Sequence, residues 1–342
     1  MINFLQNFEH RNNSERTRVR GFFLLVIFFL IIIFGFSVSV EQYITSQWLN
    51  FAERLAGKIS VNNWWRIRPS LPVVLLPTPL RPIRRVDAQP LDPTAFTGRH
   101  IVVRDNTTGE MLFGKAAYEP WPIASITKLL SALVLLETPL DFSATTTAAI
   151  DAVYDNDIVA NQTYLIKDLW GASLVASSNR AILSLVDASG FSRTEFVERL
   201  NQKATQLGLT NTHIAEPTGL DPKNTSTAAD IALLIFEAFK KPMIRDFVIL
   251  PEYRISTVDN RFAKTLKTTD WLVSGIIPKH GLNIRGGKTG SIPESDYNFA
   301  FQVTSSTSHV VDIVVLGAVT NDARFVEARE LAKWVYRSYE WK

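Results

Sequence analysis

Twenty consecutive residues, Gly21 to Val40 (GFFLLVIFFLIIIFGFSVSV), carry no charge. A helix of that length rises about 30 Å, the thickness of a bilayer's hydrocarbon core, and a helix satisfies its own backbone there. Arg11, Arg16, Arg18 and Arg20 precede the run. The positive-inside rule therefore keeps residues 1–20 in the cytoplasm and puts the rest of the chain outside. A cleaved signal peptide has a shorter apolar region and a small-residue cleavage site, for which Ser37-Val38-Ser39 is a weak match. The length of the run favours an uncleaved signal anchor over residues 21–40 and a single-pass protein of the cell membrane.

Charge narrows the partners. The net charge is +3, but residues 1–20 hold four Arg against two Glu, and residues 61–99 six Arg against two Asp. Residues 100–342 are left at about −3, so the basic character belongs to the membrane-proximal arm and not to a nucleic-acid surface. With no cysteine, disulfides, thiolate metal sites and cysteine nucleophiles are excluded. No metal cluster, phosphate loop or nucleotide fingerprint appears either, and no cofactor is expected. Residues 41–58 have the pattern of a short amphipathic helix. Seven of the sixteen prolines then fall between Pro69 and Pro93, so residues 41–94 are expected to form that helix and a stiff linker. Residues 95–342 are expected to hold the globular domain.

In that domain, HIVVRDNTTGEMLFG alternates like two strands around a turn. Residues 125–137 are apolar nearly all round, which predicts a helix buried at the domain's centre. Helices are expected near 165–176 and 179–188, from the capping box at Ser192 and Glu195 through Leu207, from about Ser226 to before Pro242, and from about Asp322 almost to the end of the chain. NIRGGKTG, YNFAFQVTS and HVVDIVVLGAV read as strands. Strands at both ends with helices between them predict an α+β fold: an antiparallel sheet flanked by helices, with an inserted helical subdomain.

Three short motifs stand in that frame. Ser125 and Lys128 are three residues apart at the front of the buried helix, on one face, so the amine can reach the hydroxyl. The first helical turn favours a developing oxyanion, and burial depresses a lysine's pKa enough to make it a base. Alone, this spacing is uninformative, and a helix start with a snorkelling lysine explains it as well. Ser177 and Asn179 lie between two helical segments, and Lys288-Thr289-Gly290 enters an edge strand where a carboxylate and a substrate backbone can approach. The motifs follow in this order, 52 and 111 residues apart. Together they are the Ser-x-x-Lys, Ser-x-Asn and Lys-Thr-Gly set of penicillin-binding proteins and class A β-lactamases.

With these motifs, and with LGLTNTHIAEPTGLDPKNTSTAADIALL and the closing DIVVLGAV…ARFVEARELAKWVY, residues 95 to 340 resemble the D-alanyl-D-alanine carboxypeptidases of peptidase family S11, low-molecular-weight penicillin-binding proteins. The resemblance implies a serine β-lactamase/DD-peptidase-like fold and a serine peptidase that trims peptidoglycan stem peptides and is acylated by β-lactams. It implies Ser125 as nucleophile, Lys128 as general base and Ser177 as proton relay, with Asn179 positioning the substrate and Lys128. Lys288 and Thr289 would face the substrate's terminal carboxylate. The backbone N–H groups of Ser125 and Ser291 would form the oxyanion hole. Arg324 stands where the family often has a carboxylate-facing arginine, although a surface salt bridge also explains it.

Departures accompany the likeness. Arg180 follows the second motif where relatives have a small residue or glycine and then Asp, which puts a bulky cation beside the site. The stretch between the first two motifs lacks an expected Gly-Glu turn. Only 52 residues follow Gly290, so neither a β-rich second domain nor a C-terminal membrane helix is expected, and tethering falls to the N-terminal anchor. A D,D-endopeptidase acting on cross-links uses the same residues. A class A β-lactamase needs a deacylating Glu with an Asn four residues on, but after Glu216 that place is taken by Leu220. A catalytically dead, membrane-tethered binding module is the remaining alternative. His213 and His280 have no convincing triad partners.

Overall fold

The computed structural model describes residues 80–151, 153, 155–305 and 309–342. The anchor expected at 21–40, the segment before it, the amphipathic helix and the first part of the linker lie outside these residues. Among the described residues no helix is long and apolar enough to cross a membrane.

The elements run β1 (Pro82–Arg84), β2 (His100–Asp105), β3 (Met111–Lys115), β4 (Trp121–Pro122), α1 (Thr127–Leu135), β5 (Thr145–Thr147), β6 (Thr163–Leu165), α2 (Ile166–Val175), α3 (Asn179–Ala188) and α4 (Arg193–Gln206). They continue with β7 (Thr225–Ser226), α5 (Ala228–Phe239), α6 (Pro242–Val248), β8 (Glu252–Ser256), β9 (Ala263–Lys267), β10 (Asn283–Ile292), β11 (Asp296–Thr304), β12 (Val310–Ala318), α7 (Ala323–Ser338) and β13 (Tyr339–Trp341). The main sheet has five antiparallel strands in the order β10-β11-β12-β2-β3, so the early and late parts of the domain complete one sheet, as the sequence predicts.

Side chains alternate across this sheet with period two. Ile101, Val103, Phe299, Phe301, Ile313 and Val315 face α7, where Phe325, Ala328, Leu331, Ala332 and Val335 complete one core. Val102, Ala300, Val314 and Leu316 join the larger core of the helical body. Burial on both faces explains why HVVDIVVLGAV is nearly continuously apolar although its neighbours are antiparallel. Helix α1 is the axis of the helical body, with all nine residues buried. The capping box that opens α4 is present, with Ser192 and Glu195 bonded reciprocally.

Helix α5 ends before Pro242 and α7 runs almost to the end of the chain, as expected, and Pro242 also opens α6 at a position where the missing N–H is no loss. The sequence placed residues up to 94 in the helix and linker. Instead Pro82↔Trp341, Ile83↔Glu340 and Arg84↔Tyr339 pair as β1 and β13, so the linker's last part is built into the domain. A strand of three residues flanked by proline carries too little periodicity to be read locally.

The entry to β2 is held by one buried carboxylate of α7. Glu327 accepts from the Thr97 N–H and hydroxyl at 2.8 and 2.5 Å and from the Gly98 N–H at 2.9 Å. Replacing Glu327 by alanine strands those donors in the interior. It is expected to lower stability by about 2 kcal/mol in urea unfolding, with Glu327→Gln closer to wild type.

Candidate active site

Ser125 sits in a single 3-10 turn, Ala124–Ile126, that leads directly into α1. The approach to it is strapped on both sides. Trp121 and Pro122 pair with Ser226 and Thr225, Ile123 N–H donates to the Asn224 carbonyl at 2.9 Å, and the Asn298 side chain donates to the Pro122 carbonyl at 2.9 Å. The strapping holds Ala124 at φ 48°, a left-handed value that costs a residue with a Cβ. Ser177 is also held at positive φ, 63°, in the turn between α2 and α3. Both candidate serines thus lie in or beside a strained turn.

Lys128 is fully buried, and its Nζ lies 2.8 Å from Ser125 Oγ, 2.7 Å from Asn179 Oδ1 and 2.7 Å from the Thr218 carbonyl oxygen. Burial pulls its pKa down to about 7, partly opposed by the negative charges of Glu216 and Asp155. Two of the three partners are pure acceptors and must receive N–H bonds. When the amine is neutral, its lone pair is left for the one partner that owns a proton, the Ser125 hydroxyl. The arrangement therefore orients a base toward a nucleophile.

The third motif lies on β10, the edge strand of the sheet, as expected. Lys288 is 1% exposed, and its Nζ donates to Ser177 Oγ at 2.7 Å and to the Thr289 carbonyl at 3.0 Å. Burial drives its pKa down, and Lys128 and Arg324 push it further. Thr289 Oγ1 lies 2.6 Å from Thr269 Oγ1. Gly290 faces the nucleophile's turn: a Cβ there would stand 2.6 Å from the Ile123 carbonyl and 3.0 Å from Ser125 N, so only glycine lets the strand come this close. Ser291 follows at an exposed position on the same strand. Ser125 and Asn179 are thus bonded to Lys128, and Ser177 to Lys288, with Gly290 packed against the turn that carries Ser125.

Two cations of the sequence analysis are buried. Arg180 does not stand in the site. It is buried, and its guanidinium donates to the carbonyls of Ala149, Asp151 and Val153, stapling the loop before β6. Arg324 is 6% exposed, so it is no surface salt bridge. It donates to the Gly290 and Asn298 carbonyls at 3.1 and 3.0 Å and to Asn321, behind the third motif. Burial lowers its pKa to about 10.

Glu216 is tied down. Its carboxylate accepts the N–H groups of Thr218, Gly219 and Leu220 at 2.7, 2.5 and 2.8 Å, which shapes the turn that offers the Thr218 carbonyl to Lys128. Gly219 closes that turn at φ 93°, where a Cβ would collide with the Ala124 carbonyl. Reading the sequence missed this turn's role, and also Asn224, which is fully buried and bonds Thr127 and the Glu216 carbonyl. It missed Asp155 as well, which accepts from Ser178 Oγ at 2.5 Å and Arg180 N–H at 2.8 Å to hold the start of α3. The EPTGLDPKN stretch carried the only signal for the first two; nothing local marked Asp155. His213 forms a backbone bridge with Thr225, and His280 is exposed in a turn.

Residues 86–320 match the family of D-alanyl-D-alanine carboxypeptidases, peptidase S11. The chain is 30% identical over 240 residues to a D-alanyl-D-alanine endopeptidase of Pseudomonas aeruginosa, covering 68% of this chain and 76% of the relative. It is 31% identical over 182 residues to the D-alanyl-D-alanine carboxypeptidase DacA of Haemophilus influenzae, covering 53% of this chain and 44% of that one. A solved structure of a mutant Streptomyces K15 DD-transpeptidase is similar at a TM-score of 0.65 and 25% identity, covering 73% of this chain and all of the other. With a buried Lys128 bonded to Ser125 and to Asn179 of the second motif, this chain belongs to the D-alanyl-D-alanine carboxypeptidase family and is a serine-type DD-peptidase.

Proposed function

We propose that the domain removes the terminal D-alanine from peptidoglycan stem peptides through an acyl-enzyme on Ser125. The observation that carries this reading is the Lys128 amine, buried and bonded to the Ser125 hydroxyl with two acceptors occupying its other directions. Ser125 Oγ attacks the carbonyl of the D-Ala-D-Ala bond while its proton passes to Lys128. The N–H groups of Ser125 and Ser291 stabilise the oxyanion. Collapse breaks the C–N bond, the leaving amine takes a proton through Ser177, and water later hydrolyses the ester. Asn179 orients Lys128 and the substrate, and Lys288 with Thr289 faces the terminal carboxylate, with Arg324 supporting the strand beneath them. The apolar run at 21–40 anchors the chain in the cell membrane by its N-terminus, with the catalytic domain on the extracytoplasmic side, where the cell wall and β-lactams are met.

A second reading, a D,D-endopeptidase cutting peptide cross-links with the same residues, is favoured by the name of the Pseudomonas relative. The β-lactamase alternative is weakened by Glu216, whose oxygens are occupied by backbone N–H groups and not left to activate water.

Incubation with benzylpenicillin is expected to add one drug mass to the protein, lastingly, and Ser125→Ala to abolish the adduct in intact-mass measurement. No adduct together with untouched drug would mean an inert scaffold, and destroyed drug a fast β-lactamase. Assays on a stem pentapeptide and on a cross-linked dimer then separate the two peptidase readings.

The base makes a second prediction. The acylation rate should rise with pH through about 7 as the Lys128 ammonium loses its proton. Lys128→Ala should slow acylation by roughly 10²–10⁴-fold, the range for loss of a general base. A rate independent of pH between the two protonation states would assign the proton transfer elsewhere.

A further inference from the structure

We propose that Asp270 is a positioning residue whose carboxylate keeps Lys288 and Arg324 charged, and so sets the grip on the substrate's terminal carboxylate. The inference rests on the proposed role of Lys288 as the group facing that carboxylate.

The segment before β10 is bolted behind the third motif. Thr269 N–H donates to the Val175 carbonyl at the end of α2, and its hydroxyl meets that of Thr289. Asp270 follows, 2% exposed. Its Oδ1 closes a local turn by accepting the N–H groups of Leu272 and Val273 at 2.8 and 3.1 Å. Its Oδ2 is buried and has no hydrogen-bond partner among the described residues. A buried carboxylate oxygen left unbonded is costly, so its surroundings matter. That oxygen is pressed against Gly287, the residue before Lys288. A Cβ at Gly287 would stand 2.5 Å from it, so glycine at this position is what admits the carboxylate to the strand.

Charge explains what the approach achieves. Three buried basic groups meet around β10: Lys128, Lys288 and Arg324. Lys128 and Arg324 both press Lys288 toward its neutral form, and of the charged groups acting on Lys288 only Asp270 opposes them. Asp270 also supports the charge of Arg324, together with Tyr297. Lys128 has other counter-charges, Glu216 and Asp155. The two lysines must differ in state for the chemistry: one neutral to accept a proton, one charged to hold an anion. Placing Asp270 on the Lys288 side separates their roles. Burial raises the pKa of Asp270 to about 6, with Lys279 and Arg324 opposing, so it is ionised at neutral pH. As pH falls below about 6 it becomes neutral, and its support of the two cations is lost.

The test uses the full chain with Asp270→Asn and Asp270→Ser, both of which keep an acceptor for the local turn and remove the charge. Acylation by benzylpenicillin, which bears a carboxylate, and by its uncharged methyl ester is followed by intact mass from about pH 5 to about pH 9, a range that spans both limbs of the profile. In the variants the alkaline limb with benzylpenicillin should move down by about one pH unit, with about tenfold weaker saturation above neutrality, while the maximal acylation rate and the ester's profile hardly change. Superposable benzylpenicillin profiles for wild type and variants would overturn the proposal. So would equal losses on acid and ester, or failure of both variants to fold by thermal melting, since each makes Asp270 a structural residue only. A wild-type protein that forms no adduct overturns the Ser125 reading itself, which is a distinguishable failure.

Discussion

The geometry of the site hangs on one buried amine. Lys128 has no access to water, so each of its hydrogen-bonding directions must be met by protein. The three partners come from three places: Ser125 from the turn before α1, Asn179 from the start of α3, and the Thr218 carbonyl from a loop ninety residues along the chain. Bringing them together requires α1 to be central and apolar on every side, which its nine buried residues accomplish. The same burial that makes the network obligatory also draws the pKa of the amine to about 7. Packing and reactivity therefore have one cause.

Close backbone approach is the second requirement, and it is met by glycine on one side and strain on the other. Gly219 and Gly290 both lie against the turn that carries Ser125, one from the loop and one from the edge strand. Ala124 and Ser177, in contrast, are held at positive φ without being glycine. Such strain persists where the surroundings over-determine the chain, and here they do so through β4–β7 pairing, Asn298 and the Lys288–Ser177 bond. These two turns present the Ser125 and Ser177 hydroxyls.

Carboxylates in and around the site are assigned to structure or to charge balance, and none is left as a free base beside Ser125. Glu216 is spent on backbone N–H groups, Asp155 on the start of α3, and Glu327, farther off, on the entry to β2. Asp270 is different in having one oxygen with no donor among the described residues, and that oxygen lies against Gly287, next to Lys288. Under the proposed roles such sorting matters, because one buried lysine is to accept a proton and the other to face an anion.

Much of this was legible in the sequence, wherever the information is carried by neighbours along the chain. The three motifs in order, the buried helix, the capping box at Ser192 and the strands that close the sheet are set by periodicity, caps and spacing. What only the tertiary structure decided lies where distant segments meet. The third partner of Lys128 is a main-chain carbonyl, which every residue type has, so EPTGLDPKN marks a turn but not Thr218 as the partner. Arg180 follows Asn179 directly, yet it turns away from the site because the carbonyls of the loop before β6 offer its guanidinium acceptors in the interior. Pairing of β1 with β13 joins residues more than two hundred apart through strands of three residues, too short to show a period. The sequence by itself determined which side chains are candidates for the chemistry; the packing of α1 against the loop and the edge strand decided which charge and which carbonyl each of them meets, because burial and electrostatic partners are properties of the folded interior and not of the chain.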